Sequence, residues 1–319
     1  MNRKANRIND LPTPPPRQCW VCVPPDIALK TRGPLEARII AGGGSPLGGA
    51  KPKALIDIDG EPWVIKFFNN EPVDTPLVEH ATMTLAKQAG ITVAETQMVP
   101  LVVFNAVAIR RFDRERGHRI HSISAGTAIR AATASGQEPQ MGYPALARVL
   151  RRVGVAEAGV HQSDARELFR RMVFNILMDN TDDHEKNHAL LVVNPHGNGR
   201  LKLAPAYDVL PSNSGQGYQE FICGALGHES TLDNAMSECE AFGLLPNEAA
   251  QEVARVIEVV DGWRTHLAQV GVSAADIEYL GQFIDGDELL AQRMGFEASR
   301  FANAGGKRAK PVKRGPFSV

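Results

Sequence analysis

Thr181-Asp182-Asp183-His184-Glu185-Lys186-Asn187 is a polar run set between two apolar segments. Ahead of it, over 161–178, Leu168, Phe169, Met172, Val173, Ile176 and Leu177 recur at the helical period and form a wide apolar stripe. Behind it, Ala189-Leu190-Leu191-Val192-Val193 and Arg200-Leu201-Lys202-Leu203 read as short strands joined by Asn194-Pro195-His196-Gly197-Asn198-Gly199. A long helix hands the chain to an acidic loop, and a hairpin leaves it.

Outward from that centre the two halves differ. C-terminal to it, helical patterns run over 230–243, 247–270 and 273–302, with Val253, Val256, Ile257, Val260, Trp263 and Leu267 on one face of the second. N-terminal to it lie β-type runs at 54–58, 63–68, 91–99 and 101–112, with Asp59-Gly60 as a two-residue hairpin turn. One helix is predicted among them, over 75–89. Thr75-Pro76 offers its cap and first-turn proline, Leu77, Ala81 and Leu85 share a face, and Gly90 ends it. The pattern predicts an α+β, two-lobed chain. A proline-rich arm over 1–35 precedes a β-rich lobe over 36–113, then a helical lobe over 114–303 and a basic tail over 304–319.

Of 319 residues, 43% are hydrophobic and 22% charged, which excludes a disordered chain, a collagen-like chain and a coiled-coil rod. The longest apolar stretch, 100–109, falls short of the ~18 residues of a membrane span. The N-terminus has no apolar signal core, so a cytoplasmic protein with no membrane partner is expected. A net charge of −1 excludes overall nucleic-acid-type basicity; Lys307, Arg308, Lys310, Lys313 and Arg314 concentrate the basic charge in the tail. Cys19 and Cys22 form a C-x-x-C that has no second half, so the four cysteines read as free thiols rather than a zinc site.

The acidic loop carries the chemistry. Phosphoryl transfer needs a carboxylate to orient the attacking hydroxyl and hard oxygen ligands for Mg²⁺. Asp182 and Asn187 have the spacing of the Asp and Asn in the kinase pattern H-R-D-x-x-x-x-N; Asp183 does not. A second metal carboxylate belongs after the hairpin, where Asp208 stands in Ala204-Pro205-Ala206-Tyr207-Asp208. The glycine cluster at 42–49, set between β-type runs, can bring backbone N–H groups close to phosphates. Lys66 is the strand lysine for those phosphates, and Glu79 on the following helix is its carboxylate partner.

These residues together resemble the HipA family of serine/threonine kinase toxins from bacterial toxin–antitoxin operons. The resemblance covers roughly residues 43–300. It rests on Gly48-Gly49-Ala50-Lys51-Pro52-Lys53, Trp63-Val64-Ile65-Lys66-Phe67, Val78-Glu79 and Arg111-Phe112-Asp113-Arg114. It rests most on Phe174-Asn175-Ile176-Leu177 with Asp182-x-His184-x-Lys186-Asn187, and on Pro205-Ala206-Tyr207-Asp208. The family implies a protein-kinase-like fold, ATP and Mg²⁺ as cofactors, Asp182 as the catalytic carboxylate, and Asn187 and Asp208 as Mg²⁺ ligands. It implies Lys66 on the ATP phosphates, the 109–112 strand with Arg110 and Phe112 as the adenine hinge, and His184 and Lys186 as supporting or phosphate-side residues. It makes Ser45 the candidate for autophosphorylation as self-control.

The implied substrate is a translation component such as an aminoacyl-tRNA synthetase, with growth arrest as the result. The implied partners are a small helix-turn-helix antitoxin, DNA through it, and a separate protein standing for an N-terminal subdomain. The chain has only about forty proline-rich residues where that subdomain would be, as expected of a short toxin form. Two alternatives stand beside this reading. A small-molecule kinase of the aminoglycoside or choline type usually places its His before the Asp, whereas His184 follows Asp182. An inactive binding module for an antitoxin would be marked by loss of Asp182, Asn187 or Asp208.

Overall fold

The computed structural model describes residues 53–67, 71–101 and 105–302. The proline-rich arm, the glycine cluster with Ser45, Gly48, Gly49, Ala50 and Lys51, Cys19, Cys22 and the basic tail lie outside the described residues.

Four antiparallel strands build the N-terminal sheet: β1 (Lys53–Ile58), β2 (Glu61–Phe67), β3 (Thr96–Pro100) and β4 (Asn105–Arg110), in the order β1-β2-β4-β3. Asp59 and Gly60 make the first hairpin with φ of 54° and 83°, and the Gly60 amide donates to Asp57 Oδ1 at 2.9 Å. Two left-handed residues twist as the strands twist, which is why Asp-Gly suits this turn. Strand alternation then sorts the side chains. Ala54, Ile56, Trp63, Ile65, Phe67, Val99, Ala106 and Ala108 form one small apolar core. Val107 and Ile109 face the other way and join the main core with Val78, Ala81, Met83 and Leu85 of α1 (Thr75–Gln88). Lys66, between Ile65 and Phe67, emerges on that second side.

The N-cap of α1 is Asp74, one residue before the expected Thr75: its Oδ1 accepts from the Leu77 amide at 3.3 Å. Thr75 is already helical, and its hydroxyl donates to the Val73 carbonyl at 3.3 Å instead. The run expected over 91–99 is a sheet strand only from Thr96. Its first part pairs elsewhere: the Ala94 amide donates to Ala206 O and the Ala206 amide to Thr92 O, each at 2.8 Å. That short parallel clasp ties the N-terminal half to the segment leading into Asp208.

The helical half begins with a small hairpin, β5 (Arg114–Glu115) and β6 (His118–Arg119). There follow β7 (Ser122–Ser124), α2 (Ala125–Ala132), α3 (Tyr143–Val153) and α4 (Val160–Leu177). The predicted hairpin is β8 (Ala189–Val193) with β9 (Arg200–Leu203), and β7 adds to it as a third strand. The stripe of α4 is fully buried, and Phe174 on its flank is buried as well. The expected helix over 247–270 is two, α6 (Pro246–Val260) and α7 (Trp263–Val270), bent at Asp261-Gly262 with Val260, Trp263 and Leu267 still in the core. The segment 273–302 likewise divides, into α8 (Ala274–Ile284), α9 (Asp287–Gly295) and a 3-10 turn. Asp285 stops α8, where its carboxylate accepts from Trp263 Nε1, Arg264 and Arg293. α5 (Leu232–Ser237) is a short helix before α6. Among the described residues no helix is long and apolar enough to cross a membrane.

Candidate active site

A cleft of about 1340 Å³ separates the sheet from the helical half. Lys53, Lys66, Arg110, Phe112, Asp182, His184, Lys186, Asn187 and Asp208 all lie on its wall. Glu79 stands behind it on α1, only 2% exposed. Lys66 Nζ donates to Glu79 Oε1 and to Asp208 Oδ1, each at 2.6 Å. Burial depresses the Lys66 ammonium, but the charges of Glu79 and Asp208 outweigh burial and hold its pKa above the ordinary lysine value. Strand, helix and post-hairpin loop thus meet in one charged triad.

Asp208 reaches the triad from a left-handed backbone, φ 59°, a conformation uncommon outside glycine but tolerated by Asp. Its neighbours hold it there. Ala206 is clasped to 92–94, and the Tyr207 hydroxyl donates to the Lys186 carbonyl at 2.6 Å. The Tyr207 ring lies 5.5 Å from that of Phe112, linking the strand end to the acidic loop.

The two adjacent aspartates of the loop have opposite surroundings. Asp182 is exposed, and among the described residues its carboxylate has no hydrogen-bond partner. Its peptide is fixed on both sides: the amide donates to Ser212 Oγ at 3.0 Å, and the carbonyl accepts from Asn187 Nδ2 at 3.1 Å. Asp183 is buried and accepts from the Tyr143 hydroxyl and, at 2.9 Å, from His188 Nε2. Asn175 Nδ2 donates to the Tyr143 hydroxyl at 2.9 Å. Burial, and then the Asp183 charge, push the Tyr143 phenol well above its ordinary pKa, so it stays a donor. Tyr143, His188 and Ser212 are absent from the sequence reading; Asn175 was traceable as an amide inside an apolar helical stripe.

Other expected positions are less committed to the cleft. His184 is half-buried, with Nδ1 accepting from the Lys186 amide at 3.3 Å, and the Lys186 side chain is exposed. Arg110 turns to the sheet surface, where it pairs with Glu95 at 3.1 Å and Glu61 at 3.3 Å. The amides of Arg110 and Arg111 donate to Glu95 O and Pro62 O, at 2.8 and 3.0 Å. Neither is free for a base edge; the Phe112 amide, next along, has no partner among the described residues. No group of three or more His, Cys, Asp and Glu among the described residues could hold a metal ion.

The sequence profile of the HipA-like C-terminal domain matches residues 45–263, a span that holds every cleft residue named above. The chain belongs to the HipA-like C-terminal domain family. Two curated relatives bear kinase names. Y4dM of Sinorhizobium fredii is 30% identical over 47% of this HipA-like chain and 37% of its own length. A protein of Haemophilus influenzae is 28% identical over 41% of this chain and 39% of its own. The chain thus spans under two-fifths of the curated relatives it matches. Among solved structures, HipA of Shewanella oneidensis MR-1, in complex with HipB and operator DNA, aligns with TM-score 0.59 and 16% identity over 81% of this chain and 67% of that one. The proinflammatory kinase CtkA of Helicobacter pylori aligns with TM-score 0.58 and 14% identity over 81% and 94%. At those identities the likeness is one of fold, and the fold is the two-lobed, kinase-like α+β architecture expected from the sequence.

Proposed function

We propose that this HipA-like chain is an ATP-dependent serine/threonine protein kinase. The observation that carries the reading is the division of labour in the cleft: Lys66 is bound to both Glu79 and Asp208, while the exposed Asp182 carboxylate has no partner among the described residues. An unpaired carboxylate on an immobilised peptide can accept or orient the proton of an attacking hydroxyl. Lys66 would bind phosphate oxygens, with Glu79 setting its position. Gly48, Gly49, Ala50, Lys51 and Lys53 would supply donors to the triphosphate, and the backbone at Phe112 would meet the adenine.

Mg²⁺ fits the donors present. It prefers hard oxygen ligands, and in kinases one or two protein oxygens suffice because phosphates and water complete the shell. The Asn187 amide gives its Nδ2 to Asp182 O, which leaves Oδ1 as the ligating atom, and Asp208 lines the same wall. When bound, the ion would neutralise charge on the transferring phosphate; the residues themselves hold the hydroxyl and the triphosphate in line. His184 and Lys186 stand beside them as phosphate-side residues.

The whole protein's role follows the family: a toxin that modifies a translation component such as an aminoacyl-tRNA synthetase, is restrained by a small DNA-binding antitoxin, and limits itself by phosphorylation of Ser45. The complex in which the Shewanella protein was solved supports the partner class. Asp182→Asn tests the central assignment. It removes charge from an exposed side chain that bonds no other described residue, so the fold and Mg·ATP affinity should persist while phosphoryl transfer falls by about 10²–10⁴-fold, the scale of a lost catalytic base. Wild-type turnover in that variant, measured with γ-labelled ATP, would exclude Asp182 from the role.

A further inference from the structure

We infer that Ser212 is a positioning residue for the catalytic aspartate, and that it does so by joining the segment after Asp208 to the acidic loop. The inference rests on the kinase reading of Asp182. Ser212 Oγ accepts two consecutive amides, those of Thr181 at 2.9 Å and Asp182 at 3.0 Å. One small oxygen therefore sets the direction of the peptide from which the Asp182 carboxylate projects. Asn187 fixes the carbonyl side of the same residue. Among the described residues the Asp182 carboxylate has no hydrogen-bond partner of its own, so the bonds that set its aim are those of its backbone.

Ser212 is in turn held by its own segment. Its amide donates to the Asp179 carbonyl at 2.8 Å. The Asp179 carboxylate accepts the amides of Ser214 at 3.1 Å and Gly215 at 3.3 Å. Thr181 Oγ1 and Ser214 Oγ lie 2.8 Å apart. Asp179 and Ser212 thus clamp each other's segments of chain, and the clamp begins four residues beyond Asp208. Whatever moves 208–215 must pull on the Asp182 peptide. The metal-side carboxylate and the catalytic carboxylate are coupled through a serine hydroxyl rather than through each other. Ser212 is half-buried on the cleft wall.

The test compares Ser212→Ala, Ser212→Thr and Asp182→Asn in the full chain. Transfer from γ-labelled ATP to myelin basic protein is measured alongside amide hydrogen exchange. In Ser212→Ala, kcat is expected to fall by about a hundredfold, the scale of an ångström-level misplacement, with KM for ATP unchanged. The amides of Thr181 and Asp182 should exchange about tenfold faster while that of Asn187 keeps its protection. Ser212→Thr, which keeps the acceptor, should restore both. A merely structural serine would lower stability and both kinetic constants together, and threonine would not rescue kcat selectively. Wild-type kcat and wild-type Asp182 protection in Ser212→Ala would overturn the inference. If Asp182→Asn itself keeps full transfer, the kinase reading of Asp182 fails; the positioning role falls with it, even where the exchange data still find the Ser212 clamp.

Discussion

Asp182 and Asp183 are the same residue type side by side, yet one is exposed and the other buried. The Asp183 carboxylate is consumed by Tyr143 and His188, and it anchors the acidic loop to α3 and to the start of β8. His188 also stacks on Phe221, with ring centroids 5.3 Å apart, so the anchor lies in apolar surroundings. Removing one partner there leaves buried polar atoms without compensation. Tyr143→Phe deletes the hydroxyl that donates to Asp183 and accepts from Asn175, at a cost of about 1–3 kcal/mol. Urea unfolding of the variant should show a lower midpoint with an unchanged slope, and Mg·ATP affinity should be retained. An unchanged midpoint would mean that Asp183 does not depend on the phenol.

Among the elements, α1 carries the most information about function. It presents Glu79 to Lys66 on one side and packs against α7 on the other. That second contact contains two histidines. His266 Nε2 lies 2.9 Å from Thr84 Oγ1 and 3.1 Å from Ala81 O, and His80 Nδ1 lies 2.7 Å from Thr96 Oγ1. Burial lowers both imidazoles below the ordinary histidine value of 6.5, and the nearby His266 lowers His80 further. The fold therefore holds them neutral, whereas the unfolded chain takes up protons as pH falls below 6.5. By linkage, their contribution is fully present above that pH and is lost progressively below it, towards the depressed folded values. Denaturation midpoints at pH 7.5 and 5.5 should differ, with less stability at 5.5. A His80→Gln, His266→Gln double variant should show a smaller difference; an equal one would assign the pH dependence elsewhere.

At the scale of the whole molecule, the two halves are joined in three ways that converge on the cleft. The main apolar core runs from Val107 and Ile109 of the sheet through α1 into α4 and α6. The 92–94 clasp on Ala206 fastens backbone to backbone. The Lys66–Asp208 pair closes the cleft with charge. A ligand bound between the halves stabilises both, because it binds the folded chain alone. Mg·ATP at a hundredfold excess over its Kd should add about 2.7 kcal/mol, read as a rise in Tm. Chelation of Mg²⁺ should cancel most of that rise. In Asp208→Ala, Mg²⁺ should add little to the effect of ATP alone, and a full Mg²⁺-dependent rise in that variant would exclude Asp208 as a ligand.

The sequence by itself determined the features that local chemistry controls. Asp59-Gly60 specifies its turn, the apolar stripe of 161–178 specifies a buried helix, and the polar run after it specifies a loop held between helix and hairpin. Lys66, Glu79, Asp182, Asn187 and Asp208 could be put forward in that order from spacing alone, because spacing within a motif needs no knowledge of packing. What the tertiary structure alone decided is which groups meet. Lys66 and Asp208 stand 142 positions apart and bond at 2.6 Å. Ser212 reaches the Asp182 amide across 30 positions. Asp183 differs from Asp182 only through Tyr143, 40 positions upstream, and through the His188 ring. The helix ends at Asp261-Gly262 and Asp285 were hidden for the same reason: arginines and a tryptophan from other turns claim the carboxylates that stop the chain there. Periodicity records which face of an element is apolar. It holds no record of which distant side chain will fill the space opposite, and that choice, made by burial and by the need to pair every buried polar group, sets the chemistry of the cleft.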